Sequence, residues 1–166
     1  FTEIVDRTKV PVVTTVMGRG AIPTNHPLYI GNLGMHGAYA SNMAVNECDL
    51  LFSIGTRFND RITGKLHSFA PKAQIVHIDI DTAAISKNVQ VDVPIVADAK
   101  EALEKMVEYV TACDTEEWIA KVESWKEEHP LVMKKKTIMT PEDVIEAINR
   151  LFDEAIVITD VGQHQI

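Results

Sequence analysis

Residues 49–61 read DLLFSIGTRFNDR, and they hold the unit from which the fold is built. The run 49–54 is short, mostly apolar and closed by Gly55, the pattern of a buried strand. The next seven residues, Gly55-Thr56-Arg57-Phe58-Asn59-Asp60-Arg61, are led by glycine and carry charge, as a loop at a strand's end does. The pattern recurs outward in both directions. Residues 11–16 (PVVTTV), 74–80 (QIVHIDI), 93–97 (VPIVA) and 155–159 (AIVIT) are also short runs rich in Val and Ile and bounded by turn residues. Helical stretches lie between them. Residues 38–48 carry Ala, Met and Val at helical spacing, and residues 98–112 place Leu103, Met106, Val107 and Val110 on one stripe with Asp98 as N-cap. A further helix is expected over 115–128. Another starts at Thr140, where Pro141 suits the first helical position and Asp143 completes a capping-box-like pair, and runs to about Leu151.

Strands alternating with helices predict an α/β fold: a doubly wound, mainly parallel sheet with helices on both faces. In such sheets ligands bind at the carboxyl ends of the strands. Residues 129–140 (HPLVMKKKTIMT) hold a proline and a basic run, and read as a connection. The expected organisation is one domain over 1–130, a linker over 131–139, and the start of another domain over 140–166. The chain opens on FTEIVDRT in mid-helix pattern and stops just after a predicted strand, so a piece of a longer enzyme is expected.

Composition narrows the partners. The 166 residues are 46% hydrophobic and 24% charged, ordinary for a globular protein with a real core. The net charge of -8 argues against a nucleic-acid partner. The acidic stretch at 101–128 reads as a solvated helix face. No apolar run approaches the length that spans a bilayer, so no membrane partner is expected. Cys48 and Cys113 each fall in a helix-like segment, read as reduced structural thiols, and point to a cytoplasmic setting.

Four constellations stand at strand ends. GNLGMHG, with Gly31, Gly34 and Gly37, lets backbone approach a ligand and precedes a helix whose amides suit an anion, or it is a plain tight loop; its His36 can stack on a ligand or simply sit in the loop. GTRFNDR offers Arg57 or Arg61 to a phosphate, or else forms an internal salt bridge through Asp60. In HIDID, Asp79 or Asp81 can accept from ribose hydroxyls, Asp79 being favoured, while Asp81 reads rather as the cap of a short helix at 82–86. TDVGQHQ is polar and glycine-containing, after the last predicted strand. The six histidines are scattered without ligand spacing, so no metal site is read. No nucleophile–base pair stands out, so no catalytic residue is assigned. His77, alternating within a strand, reads as structural.

Together these segments resemble one family, the central domain of the large catalytic subunit of acetolactate synthase (acetohydroxyacid synthase). The matching motifs are TTVMGRGAIP at 14–23, LGMHG at 33–37, IGTRFNDRITGK at 54–65, IVHIDID at 75–81 and ITDVGQHQ at 158–165. The resemblance implies a thiamine-diphosphate enzyme that decarboxylates pyruvate and adds the two-carbon fragment to a second pyruvate or to 2-oxobutyrate, opening branched-chain amino-acid synthesis. It implies a Rossmann-like central domain holding FAD that takes no part in net redox chemistry, flanked by two further domains that hold thiamine diphosphate and magnesium. The flavin contacts it implies are Thr15, Val16, Leu33, Gly34, Met35, His36, Gly55, Thr56, Arg57, Phe58, Asn59, Asp79, Ile80, Asp98 and Ala99. Gly162, Gln163 and His164 match the start of the thiamine-binding domain. The family's glycine-rich flavin segment is expected upstream of Phe1. The family commonly has Asp-Asp-Arg where this chain has Asn59-Asp60-Arg61, which removes a charge near the flavin, and often Leu where Val16 stands. The implied partners are the other domains of the same chain, a second copy or three in a homodimer or homotetramer, and a small regulatory subunit. Two other readings fit the same fold: a flavin-free structural middle domain of a related thiamine enzyme, which would have no need of LGMHG and GTRFN, and a stand-alone nucleotide-binding module.

Overall fold

The computed structural model describes residues 1–131, 138–152, 156–158 and 162. Residues 1–130 form one compact unit and residues 131–166 a second. In the first, helix α1 (Thr2–Thr8) leads to strand β1 (Val12–Thr14), β2 (Tyr29–Asn32), α2 (Tyr39–Glu47) and β3 (Leu50–Ile54). A one-turn helix α3 (Asp60–Thr63), β4 (Gln74–Asp79), β5 (Val93–Val96), α4 (Ala99–Met106) and α5 (Glu116–Glu128) complete it. Every strand pairing is parallel: β1 with β2, and β3-β4-β5 in that order. Parallel strands need crossovers; the one between β3 and β4 holds α3, while those between β1 and β2 and between β4 and β5 carry no α-helix. The α/β expectation holds, with the sheet in two pieces, β1-β2 and β3-β4-β5, rather than one continuous array.

Each sheet has its own core. Ile30 of β2, Ala40 and Ala44 of α2, and Val122 and Trp125 of α5 form one buried cluster, with Trp118 set edge-on to Trp125 at 5.8 Å between ring centres. Phe58, Ile75, Val89 and Val91 form the other, against β4. Burial of this apolar surface, about 25 cal/mol per Å², drives the assembly. The acidic residues of 101–128 are all exposed, the solvated face the sequence predicts.

Several elements depart from expectation. Strand β2 is absent from the predicted strands, because Tyr-Ile-Gly-Asn has one strongly buried residue and two poor strand formers; parallel pairing with β1 makes it a strand. The helix expected over 98–112 stops at Met106. There the Val107 carbonyl accepts from Arg7 Nη1 at 2.9 Å, and the residues beyond include β-branched Val110 and Thr111, which add little helical drive. Residues 82–86 are successive turns, not a helix. Cys48 caps α2 and is half-buried, but Cys113 is exposed and outside any helix; both thiols are free.

In the second unit, α6 (Pro141–Leu151) begins where the sequence places it, with Thr140 and Asp143 forming a full capping box and Pro141 in the first turn. Of the strand expected over 155–159, residues 156–158 carry no strand and the other two lie outside the described residues. Among the described residues, no helix is long and apolar enough to cross a membrane.

Candidate functional site

The registers level the strand ends. Ile54 pairs with Ile78 and Asp79 with Val96, so residues 55–59, 79–80 and 98–99 leave β3, β4 and β5 along one edge. Thr14 pairs with Asn32, so Thr15-Val16 and residues 33–36 leave β1 and β2 together. The loop after β2 meets α3, which follows residues 55–59, where the Met35 amide donates to the Arg61 carbonyl at 2.8 Å. Every flavin-contact residue inferred from the family resemblance therefore sits at a strand's carboxyl end or just past it.

The loop after β2 is closed by backbone contact. Gly34 has φ +109°, and a Cβ there would lie 2.6 Å from the Arg61 carbonyl oxygen. A Cβ at Gly37 would run into the Asn32 carbonyl. Asn42, on the second turn of α2, binds both polar groups of the Gly34 backbone: its Oδ1 accepts from the Gly34 amide at 2.9 Å and its Nδ2 donates to the Gly34 carbonyl at 3.0 Å. Asn42 is absent from the residues the sequence singles out. Its one signal there is a poor helix former set among Ala, Met and Val. Met35 and His36 stay exposed.

The loop after β3 is anchored by a side chain. Phe58 adopts φ +46°, rare for a residue with a Cβ, and is 3% exposed, packed edge-on against Phe69 and His77. Arg57 and Arg61 are exposed, and among the described residues neither pairs with Asp60. The internal salt bridge weighed for this stretch is thus not formed.

On β4, Asp79 turns one carboxylate oxygen to the Asp81 amide at 2.9 Å and the other toward His77 Nε2, 3.7 Å away. Asp81 accepts from the Ala83 amide at 2.9 Å, closing a turn where the sequence suggests a helix cap. His77 is fully buried and neither ring nitrogen makes a hydrogen bond. Burial lowers its pKa, opposed by the Asp79 charge and the Thr56 backbone, so the ring is neutral at neutral pH. Beyond β5, Asp98 caps α4 through Oδ1, accepting from the Lys100 and Glu101 amides. Thr15 likewise accepts from the Gly18 amide at 3.1 Å. Gly162 lies among the described residues at a bend; Gln163 and His164 lie outside them. Among the described residues no group of three or more His, Cys, Asp or Glu could hold a metal ion.

The edge is chemically mixed. It offers exposed apolar side chains (Val16, Met35, Ile80), a carboxylate on β4, exposed guanidinium groups and glycine backbone, with no nucleophile paired to a base among the described residues. Parallel strands with glycine and charged residues at their carboxyl ends define an α/β domain of the Rossmann-like class. The chain belongs to the family described as thiamine pyrophosphate enzyme, central domain, whose model matches residues 1–106. Over 98% of its length it is 44% identical to the acetolactate synthase large subunit of Parasynechococcus marenigrum. It is 43% identical over 99% of its length to that of Cyanidium caldarium, and 43% identical over 95% to a probable acetolactate synthase large subunit of Methanocaldococcus jannaschii. It spans only 27% of the first of these proteins and 29% of the other two.

Proposed function

We propose that this chain is the flavin-binding central part of an acetolactate synthase catalytic subunit. The observation that carries the reading is its identity, above two residues in five and nearly end to end, with proteins bearing that name. The whole enzyme decarboxylates pyruvate and joins the two-carbon unit to a second 2-oxoacid. Thiamine diphosphate with magnesium supplies that carbanion chemistry, and this chain contributes no catalytic residue to it. Residues 1–130 are assigned to the central domain, 131–139 to a linker, and 140–166 to the start of the thiamine-binding domain, with Gly162, Gln163 and His164 toward that cofactor. The subunit works in the cytoplasm as a homodimer or homotetramer, with a small regulatory subunit as a further partner.

The residues present suit FAD. Val16, Met35 and Ile80 offer apolar surface to flat rings. Asp79 keeps one oxygen free of the Asp81 amide, able to accept from a hydroxyl. Arg57 is exposed at the same edge and free to meet a phosphate. At Gly55 a Cβ would meet nothing within 4 Å, so the backbone there is open to a ligand's approach. Thr15, Leu33, Gly34, His36, Thr56, Phe58, Asn59, Asp98 and Ala99 complete the assigned contacts.

The test uses the complete subunit with thiamine diphosphate, magnesium and FAD. Acetolactate should form from pyruvate, and the purified protein should show a bound-flavin spectrum. Arg57→Ala and Asp79→Ala should each lower flavin occupancy. Full occupancy in both variants overturns the site assignment, and failure to make acetolactate overturns the function.

A further inference from the structure

The loop 55–59 is held from outside its own motif. Asn88 lies in the irregular connection between β4 and β5, and its Nδ2 donates to two successive carbonyls, Arg57 and Phe58, each at 3.1 Å. Its neighbours Val89 and Val91 are buried, and both pack in the cluster that holds the Phe58 ring. One short segment therefore grips Phe58 twice, by ring and by carbonyl. The segment is itself fixed, since the Val91 amide donates to Ser86 Oγ at 3.2 Å and Asp92 Oδ2 accepts from the Ile75 amide at 2.7 Å.

Peptide planarity gives this grip a direction. A trans peptide sends its N–H opposite to its C=O. With the Arg57 and Phe58 carbonyls turned to Asn88, the amides of Phe58 and Asn59 face the other way. Neither amide donates to a partner among the described residues. Phe58 holds this arrangement in a left-handed conformation, φ +46°, that is unfavourable for an L-residue, so the loop needs outside restraint to keep it.

We infer, on the flavin reading above, that Asn88 is a positioning residue: it sets the backbone of residues 55–59 so that successive amides face the ligand edge. Asn88 is exposed, so its replacement removes the two donated bonds without opening the core.

The experiment is FAD titration of the flavin-free complete subunit, followed by flavin fluorescence and visible circular dichroism. Asn88→Asp keeps the size and shape but has no N–H to donate, and it sets a carboxylate against two carbonyl oxygens. It should weaken FAD binding about tenfold or more and alter the bound-flavin dichroism. Asn88→Ala should weaken binding somewhat less, and Asn88→Ser, which keeps one donor, should fall between Ala and wild type. A role in stability alone would lower the unfolding temperature of the flavin-free protein and leave the dichroism of the saturated protein unchanged, which overturns the inference. Equal affinity in wild type and Asn88→Asp also overturns it while leaving the flavin reading intact. If wild type takes up no FAD, the flavin reading falls and this inference falls with it.

Discussion

The loops at 31–37 and 55–59 leave different sheets and are held by opposite means. The first is shaped by missing side chains: Gly34 and Gly37 let backbone press on the carbonyls of Arg61 and Asn32. The second is shaped by a large side chain, the left-handed and buried Phe58, while the Gly55 that opens it touches nothing where a Cβ would be. Glycine thus has different duties in the two loops. In one it makes room, and in the other it only supplies a backbone angle, φ +61°. Both loops are then locked by one asparagine amide apiece, Asn42 and Asn88.

Substitutions separate these duties. Gly37→Ala and Gly34→Ala force a methyl into backbone, and each should cost about 3 kcal/mol or more in urea unfolding. A cost under about 1 kcal/mol would show that the first loop is not sterically closed. Phe58→Ala empties the second loop's anchor and should cost about 3 kcal/mol. Phe58→Gly should then be more stable than Phe58→Ala by about 1 kcal/mol, because glycine tolerates the left-handed angle. The opposite order would mean that the angle is not under strain.

The ring beside Phe58 adds a pH test. Burial holds the folded-state pKa of His77 below its unfolded value of about 6.5. The unfolded chain therefore binds the proton more readily, and stability is lost as pH falls through about 6.5, by at most about 1.4 kcal/mol per pH unit for this one group. Comparing urea unfolding of wild type and His77→Leu across that range should show the variant's slope reduced. Identical slopes would mean that His77 is not held neutral. Gly55→Ala should have the smallest effect, about 1 kcal/mol, since only the backbone angle resists it.

The second piece of the sheet is legible in the sequence because each of its strands is a short, mostly apolar run that ends at or just before Gly55, Asp79 or Asp98. Strand β2 is illegible because its four residues owe their conformation to tertiary contacts, the pairing with β1 and the packing of Ile30 against α2 and α5. The candidate site follows the same division. Residues at strand ends stand out, because glycine and charge at those places are local signals. The residues that hold them do not. Asn42 and Asn88 act through hydrogen bonds to residues 8 and 30–31 positions away, and such pairings leave no periodicity to read. Cys113 lies outside any helix, not in the helix-like segment expected of it, for a related reason. At the end of α4 the Val107 carbonyl accepts from Arg7, 100 residues earlier, a partner that no local pattern announces.

If these two loops and the ends of β4 and β5 form one flavin edge, FAD must protect all of them together. Amide hydrogen exchange of the complete subunit, with and without FAD, reads this out peptide by peptide. Exchange should slow on FAD binding in peptides covering 33–36, 55–59, 79–80 and 98–99, with little change in α5. Saturating FAD that leaves those peptides unchanged, or protects a different surface, would break the flavin-edge assignment.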